Sequence, residues 1–281
     1  MHVTRHLDPD AFLAAAAPMA ARGQASASFF TGWAHVMKRN PPAAGERVYL
    51  ATMSDGATYG VAIQRDEGPV IIGQSDAAAA IAFADDLARD CPGLQGVVGA
   101  LRATEALAER WRQLTGRTHR LRVRLRQHAL TTVNDVPAAQ GMSRAATETD
   151  TEWLVEGQCA FVAEVGVPDP PERIRELLPK RVLRGEYRIW DHGGRVAFAG
   201  FNDAAPDFAR IAPVYTPPGF RGRGYATSLV AQMSRELLAR GKRRLFLTTD
   251  IANATSNAIY ARIGFRAEND DWHFDFVAPV E

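Results

Sequence analysis

The sequence predicts an α/β protein made of two structurally similar units in tandem. Apolar residues recur with period two and period 3.6 in alternation along the chain, as strands and helices in turn require. The order strand, helix, strand, helix, glycine occurs twice, with Gly116 and Gly264 closing the corresponding helices. At 281 residues, 46% of them apolar, the chain can bury two cores of ordinary size.

In the first half, Asp8-Pro9 opens a helix, with Asp at the N-cap and Pro at the first helical position, and Pro18 interrupts it. A second helix starts at Ser28 and stops before Pro41-Pro42. Val48 to Met53 and Thr58 to Gln64 flank Ser54-Asp55-Gly56-Ala57, a hairpin signature. Val70-Ile71-Ile72 and Val97-Val98 read as short buried strands. Asp76 to Arg89 and Thr104 to Leu114 read as helices. His119 to Leu130 alternates as a long strand.

The second half places helices over Asp150 to Val165 and Pro171 to Arg184. Glu186 to Asp191 and Arg195 to Phe201 pair around His192-Gly193-Gly194. Arg210 to Thr216 is a strand, Tyr225 to Arg240 a helix and Arg244 to Asp250 a strand. A last helix ends at Gly264, and Trp272 to Val277 is the closing strand. The two units join near Leu130 to Pro137.

Composition narrows the function. Net charge is +1, so no global field favours nucleic acid or an anionic membrane. Cys91 and Cys159 are too few for a disulfide framework or a cysteine-based zinc site, which fits a cytoplasmic protein. The seven histidines show no metal-ligand spacing. Ala25-Ser26-Ala27 resembles a leader cleavage site, but Asp8 and Asp10 stand where a leader carries basic residues. No run approaches the roughly 20 apolar residues of a membrane span.

The densest chemical signal is Pro217-Pro218-Gly219-Phe220-Arg221-Gly222-Arg223-Gly224-Tyr225-Ala226-Thr227, between a strand and an amphipathic helix. Ala226, Leu229, Val230, Met233, Leu237 and Leu238 form that helix's apolar stripe, and Gly241 ends it. Gly222 and Gly224 let backbone approach a ligand closely. The first-turn N–H groups carry partial positive charge, and Arg221 and Arg223 add full charges. Such a loop suits a pyrophosphate. A dinucleotide site is opposed by Thr227 at the third glycine position and by the absence of a second nucleotide-binding half. A Walker loop is absent.

Arg221, Gly224 and Ala226 match the pyrophosphate loop Arg/Gln-x-x-Gly-x-Gly/Ala, and Asn253 to Phe265 matches an Asn-rich helix entry with a helical Tyr and a Gly-Phe exit. In these two motifs the sequence resembles the GNAT superfamily of acyl-CoA N-acyltransferases, over roughly Val214 to Phe265. The resemblance implies two tandem GNAT-like domains, each a mixed, mostly antiparallel splayed sheet flanked by helices. It implies acetyl-CoA as acyl donor and a small-molecule or peptide amine as acceptor. Backbone of Val214, Tyr215 and Thr216 would pair with the pantetheine arm, N–H groups from Arg221 to Thr227 would hold the pyrophosphate, and Asn253 or Asn257 would bond the arm; capping of the helix N-terminus is the competing account of both asparagines. Tyr260 would be the acid for the departing thiolate; packing of its ring on the sheet is the competing account. Asp203, Asp207 and Asp250 are available as bases, and none is assigned.

Residues 1–134 are then expected to be a degenerate, non-catalytic GNAT-like domain that helps shape the acceptor pocket, and residues 135–281 the catalytic one. The counterpart loop Gly73-Gln74-Ser75-Asp76 lacks the arginine and the glycine pair, and Asp76 would set its own carboxylate at the helix start. Trp111 stands where the second half has Tyr260. Arg120, Arg122, Arg124 and Arg126 alternate with apolar residues, as on a solvent-facing edge strand that resists pairing. Direct transfer in a ternary complex is the expected reaction. A non-enzymatic acyl-CoA sensor is the alternative.

Overall fold

The computed structural model describes residues 2–20, 24–42, 45–56, 59–65, 68–73, 75–166 and 169–278. They form two compact units, one of residues 1–128, 248–253 and 267–281, the other of 129–247 and 254–266.

The first unit begins with β1 (Val3–Arg5), a strand the sequence reading did not include, followed by α1 (Pro9–Ala20) and α2 (Gln24–Arg39). The Asp8 carboxylate accepts the Ala11 N–H at 2.9 Å, as an N-cap should. The helix continues through Pro18 rather than stopping there. Then come β2 (Val48–Ser54), β3 (Tyr59–Arg65), β4 (Val70–Ile72), α3 (Ala77–Leu87), β5 (Gly96–Gly99), α4 (Leu101–Thr115) and β6 (Thr118–Leu130). The expected hairpin joins β2 to β3; Ala57, Thr58 and Gln74 lie outside the described residues.

The chain's last strand, β12 (Arg266–Val277), also belongs here. It pairs antiparallel with β5, Trp272 opposite Gly99 and Asp275 opposite Gly96. A cut between residues 134 and 135 would part these partners, so the contacts divide the chain differently from the expected boundary. The reason is local. A Cβ on Gly96 would lie 2.2 Å from the Phe274 carbonyl oxygen, so the two backbones meet at a distance only glycine permits.

Two apolar clusters cover the sheet of this unit. Phe12, Phe30, Ala34 and Met37 pack on Leu50, Val61 and Ile63. Phe83, Leu87, Leu107 and Trp111 pack with Phe274 and Phe276. The Trp111 ring, fully buried, stacks on Phe276 at 5.5 Å and is a core residue. The loop before α3 is stitched to β3: Ser75 Oγ accepts the Val61 N–H at 3.0 Å and the Asp76 carboxylate accepts the Tyr59 N–H at 3.1 Å. Asp76 is the N-cap residue, yet its carboxylate makes no cap bond.

The arginine-rich strand β6 is not an edge. It lies beside β12, whose side chains meet its basic face. Arg126 donates to both oxygens of Asp270 at 2.8 and 2.9 Å, Arg122 donates to Asp275 at 3.3 Å, and Arg124 lies over the Trp272 ring. The alternating charge that suggested a solvated edge is matched by acids on the chain's last strand, far off in sequence.

In the second unit the strands follow the order β11-β10-β9-β8-β7. They are β7 (Met142–Ala145), β8 (Tyr187–Asp191), β9 (Arg195–Asn202), β10 (Phe208–Tyr215) and β11 (Arg244–Asp250). β7 was not anticipated. Helices α5 (Thr151–Val165) and α6 (Pro171–Leu183) precede β8, α7 (Tyr225–Ala239) lies between β10 and β11, and α8 (Ala254–Ile263) follows β11. Strand alternation sorts the cores. Ala197, Ala199 and Phe201 of β9 face the cluster of α7 and α8, while Phe198 faces that of α5 and α6. From α7, Leu229, Val230, Met233 and Leu237 are fully or almost fully buried, worth roughly 2 kcal/mol each before entropy.

Candidate active site

β10 leaves its neighbour early. Its parallel register on β11 covers only Phe208–Arg210 against Arg244–Phe246, and β10 continues to Tyr215. Against β9 its register shifts between Ile211 and Val214, so Ala212 and Pro213 form a bulge. Beyond it Val214 packs against the α7 cluster and Tyr215 against the α5 cluster.

Past β10 the chain makes a short 3-10 turn, Pro218–Phe220, and reaches α7 through two left-handed glycines, Gly222 at φ +78 and Gly224 at φ +77. A Cβ at Gly222 would meet nothing within 4 Å, and one at Gly224 only Ala139 Cβ at 3.8 Å. The glycines are therefore demanded by the backbone turn and leave open space in front of it. Gly224 is the N-cap residue of α7 and supplies no side chain to cap it. Ser228 N–H to Gly224 C=O is the first bond of the helix. The N–H groups of Gly222, Arg223, Gly224, Tyr225, Ala226 and Thr227 donate to no acceptor among the described residues. Six free donors at an uncapped helix start form a concentrated positive potential.

The two arginines differ. Arg223 has no hydrogen-bond or ion-pair partner among the described residues. Arg221 is engaged. Its Nε donates to the Thr216 carbonyl at 2.8 Å, its terminal nitrogen donates to both oxygens of Glu164 at 2.9 and 2.8 Å, and the guanidinium lies over Tyr215. The Tyr215 hydroxyl donates to Glu164 as well, at 2.9 Å, and burial together with that carboxylate pushes the phenol's pKa up. The charge of Arg221 is thus matched from α5, and the Thr216 carbonyl already accepts one hydrogen bond.

Tyr225 contributes backbone only. Its ring is buried, and its hydroxyl lies 2.7 Å from His192 Nδ1 in the turn between β8 and β9. Ser228 Oγ accepts the Ala139 N–H at 2.8 Å, which fixes the segment crossing the helix start.

Tyr260 sits on α8, 8% exposed, within the same apolar cluster as Tyr225, Leu229 and partly buried Val214. Its ring meets Phe265 edge-on at 5.9 Å, and burial raises the phenol's pKa. Asn257 lies on the same helix, half-buried. Asn253 precedes the helix, is exposed, and falls within the first unit. The structure thus gathers Val214, Tyr215, Thr216, the glycine loop, Asn257 and Tyr260 in the second unit. Glu164, His192 and Asn134 were not singled out by sequence reading. Each acts through a long-range contact that no local pattern announces.

Residues 202–273 match the family model described as FR47-like protein. No curated protein matches the chain. Among solved structures, the chain is similar to a GCN5-related N-acetyltransferase from Sphaerobacter thermophilus, at 18% identity and a TM-score of 0.65, covering 100% of this chain and 96% of that one. It is also similar to a GNAT-family acetyltransferase from Colwellia psychrerythraea, at 12% identity and a TM-score of 0.56, covering 99% and 100%. The tandem GNAT protein from the clavulanic acid biosynthesis pathway aligns at 14% identity with a TM-score of 0.58, covering 100% and 99%. The chain has the GNAT superfamily fold. Both units are accounted for by this tandem GNAT arrangement, because the alignments run the whole length of the chain. Among the described residues no helix is long and apolar enough to cross a membrane.

Proposed function

We propose that the second unit binds acetyl-CoA and transfers its acetyl group to a primary amine. The observation that carries this reading is the row of six unpaired N–H groups from Gly222 to Thr227 at an uncapped helix start, in a GNAT fold. A pyrophosphate is the ligand such a row suits, and Arg223 supplies an unmatched positive charge beside it.

In the transfer, the amine nitrogen attacks the thioester carbon, an N–C bond forms and the C–S bond breaks. One proton leaves the nitrogen and one is taken up by the sulfur. Burial keeps the Tyr260 hydroxyl protonated, so it stands as a donor to the departing sulfur. Complete transfer from a phenol above 10 to a thiolate near 8.5 is uphill by about 2 kcal/mol or more. The phenol therefore works chiefly as a hydrogen-bond donor in the transition state, and the proton released by the amine restores the balance. No base is assigned; solvent serves.

Calorimetric titration of acetyl-CoA into the wild type and Gly224→Trp tests the binding. Loss of binding in a variant that still unfolds cooperatively supports the loop as the pyrophosphate site; silence from the wild type ends the reading. Thiol release across an amine panel then separates the enzyme from an acyl-CoA sensor, which would bind without release.

A further inference from the structure

The segment between the long strand β6 and β7 looks like a linker in sequence, yet Asn134 within it holds the end of α8. Its backbone N–H donates to the Ile263 carbonyl at 2.8 Å and its side-chain Nδ2 donates to the Arg262 carbonyl at 3.1 Å. These are carbonyls of the last helical turn, which lack helical partners of their own. The turn is further closed by Gly264 and Phe265, whose N–H groups both donate to the Tyr260 carbonyl, at 3.2 and 2.9 Å. Gly264 fits only because it lacks a side chain, since a Cβ would lie 2.9 Å from the Thr132 oxygen and 3.2 Å from Asn134 Oδ1. The other side of Asn134 faces α7, where Arg235 donates to its carbonyl at 3.0 Å.

One residue therefore ties together two helices of the site. α7 carries the free N–H row at its start, and α8 carries Tyr260. We infer that Asn134 is a positioning residue, fixing the terminal turn of α8 and with it the Tyr260 hydroxyl relative to the ligand gripped by α7. This rests on the reading of Tyr260 as the donor to sulfur. The sequence logic agrees. A side-chain amide supplies the N–H donor that a helix C-terminus accepts, whereas a carboxylate there would face carbonyls and the negative end of the helix dipole.

The test compares Asn134→Ala and Asn134→Asp in the full chain, with and without Tyr260→Phe. Both variants keep the backbone bond to Ile263, so the fold should persist, and urea unfolding checks it. We expect kcat to fall about three- to tenfold in the alanine variant, the scale of one net hydrogen bond, with the KM for acetyl-CoA unchanged within about twofold. The aspartate variant should be worse. In the Tyr260→Phe background the alanine substitution should change kcat by less than about twofold, because the group it positions is gone. An equal fall in both backgrounds would make Asn134 merely structural and overturn the inference. Amide hydrogen exchange gives a readout independent of turnover: the Gly264 and Phe265 amides should exchange about tenfold faster in Asn134→Ala, and unchanged protection also overturns it. A wild type that acylates no amine overturns the transfer reading instead, and the exchange result then decides the clasp alone.

Discussion

Arg221 donates to both carboxylate oxygens of Glu164, so the loop arginine that the family motif would place on the pyrophosphate is matched by an acid from α5. Both side chains are nearly half exposed, at 47% and 44%, which limits the pair's worth for stability to about 1 kcal/mol or less. Its consequence for ligand binding is larger. Arg223, unmatched, should dominate the electrostatic attraction. Calorimetry at low salt should show acetyl-CoA weakened about tenfold by Arg223→Gln and about threefold or less by Arg221→Gln. The reverse ranking would mean that Arg221 leaves Glu164 on binding.

Tyr260 is held protonated by burial, with its pKa raised above the ordinary 10. A group that must donate loses activity only as pH rises through its own pKa. The kcat profile should therefore show no Tyr260-dependent fall below about pH 10. Tyr260→Phe should lower kcat by about ten- to a hundredfold at pH 7.5 while leaving acetyl-CoA binding intact. A falling limb near pH 8 to 9 that disappears in the phenylalanine variant would contradict both the protonation state and its cause.

The glycines divide into those needed for the turn and those needed for space. Gly222 sits at φ +78 in the open, so Gly222→Ala should cost only the left-handed strain, about 1 kcal/mol. Gly264, at φ +114 and close to Thr132 and Asn134, adds a steric conflict, and Gly264→Ala should cost about 3 kcal/mol. Urea denaturation midpoints would rank them.

His273 on β12 has its pKa pushed down to about 4 by burial, with Asp275 opposing and Arg122 assisting. The folded state thus prefers the neutral ring. Between about pH 6.5 and 4 the unfolded chain binds the proton that the folded chain refuses, so stability is lost as pH falls through that window. The loss from His273 should approach roughly 2 kcal/mol, and His273→Gln should lose less by that amount, the remainder coming from groups such as His6, whose pKa burial also lowers; denaturant unfolding at pH 4.5 and 7 measures both. Asp150, held down to about 2 by Arg144, titrates below this window and does not confuse it.

How far the sequence could be read follows from how local each signal is. The Asp8 cap, the strand periodicities and the glycine-arginine loop depend on neighbours a few residues apart, and the structure places them where the pattern puts them; the helix expected to start at Ser28 begins earlier, at Gln24, and Asp76 stands at its helix start without capping it. Tyr225 shows the limit: its place at the start of the helix is legible, its bond to His192 is not, because the turn that carries His192 lies far off in sequence. The arginine ladder of β6 misled for the same reason, since alternation reports which face a charge lies on and not what waits there. The Glu164 contact and the Asn134 clasp are likewise products of the fold.

The strand β12 gives the first unit a beginning and an end separated by almost the whole polypeptide. During synthesis, the sheet containing β5 waits for its neighbour until the chain has been made as far as Val277, leaving that side of Gly96 to Gly99 unpaired in the meantime. Deleting the final strand would therefore injure the half of the molecule that was translated first. A fragment ending near residue 134 would be an unfinished sheet with a bare edge, apt to find a partner strand in another copy of itself.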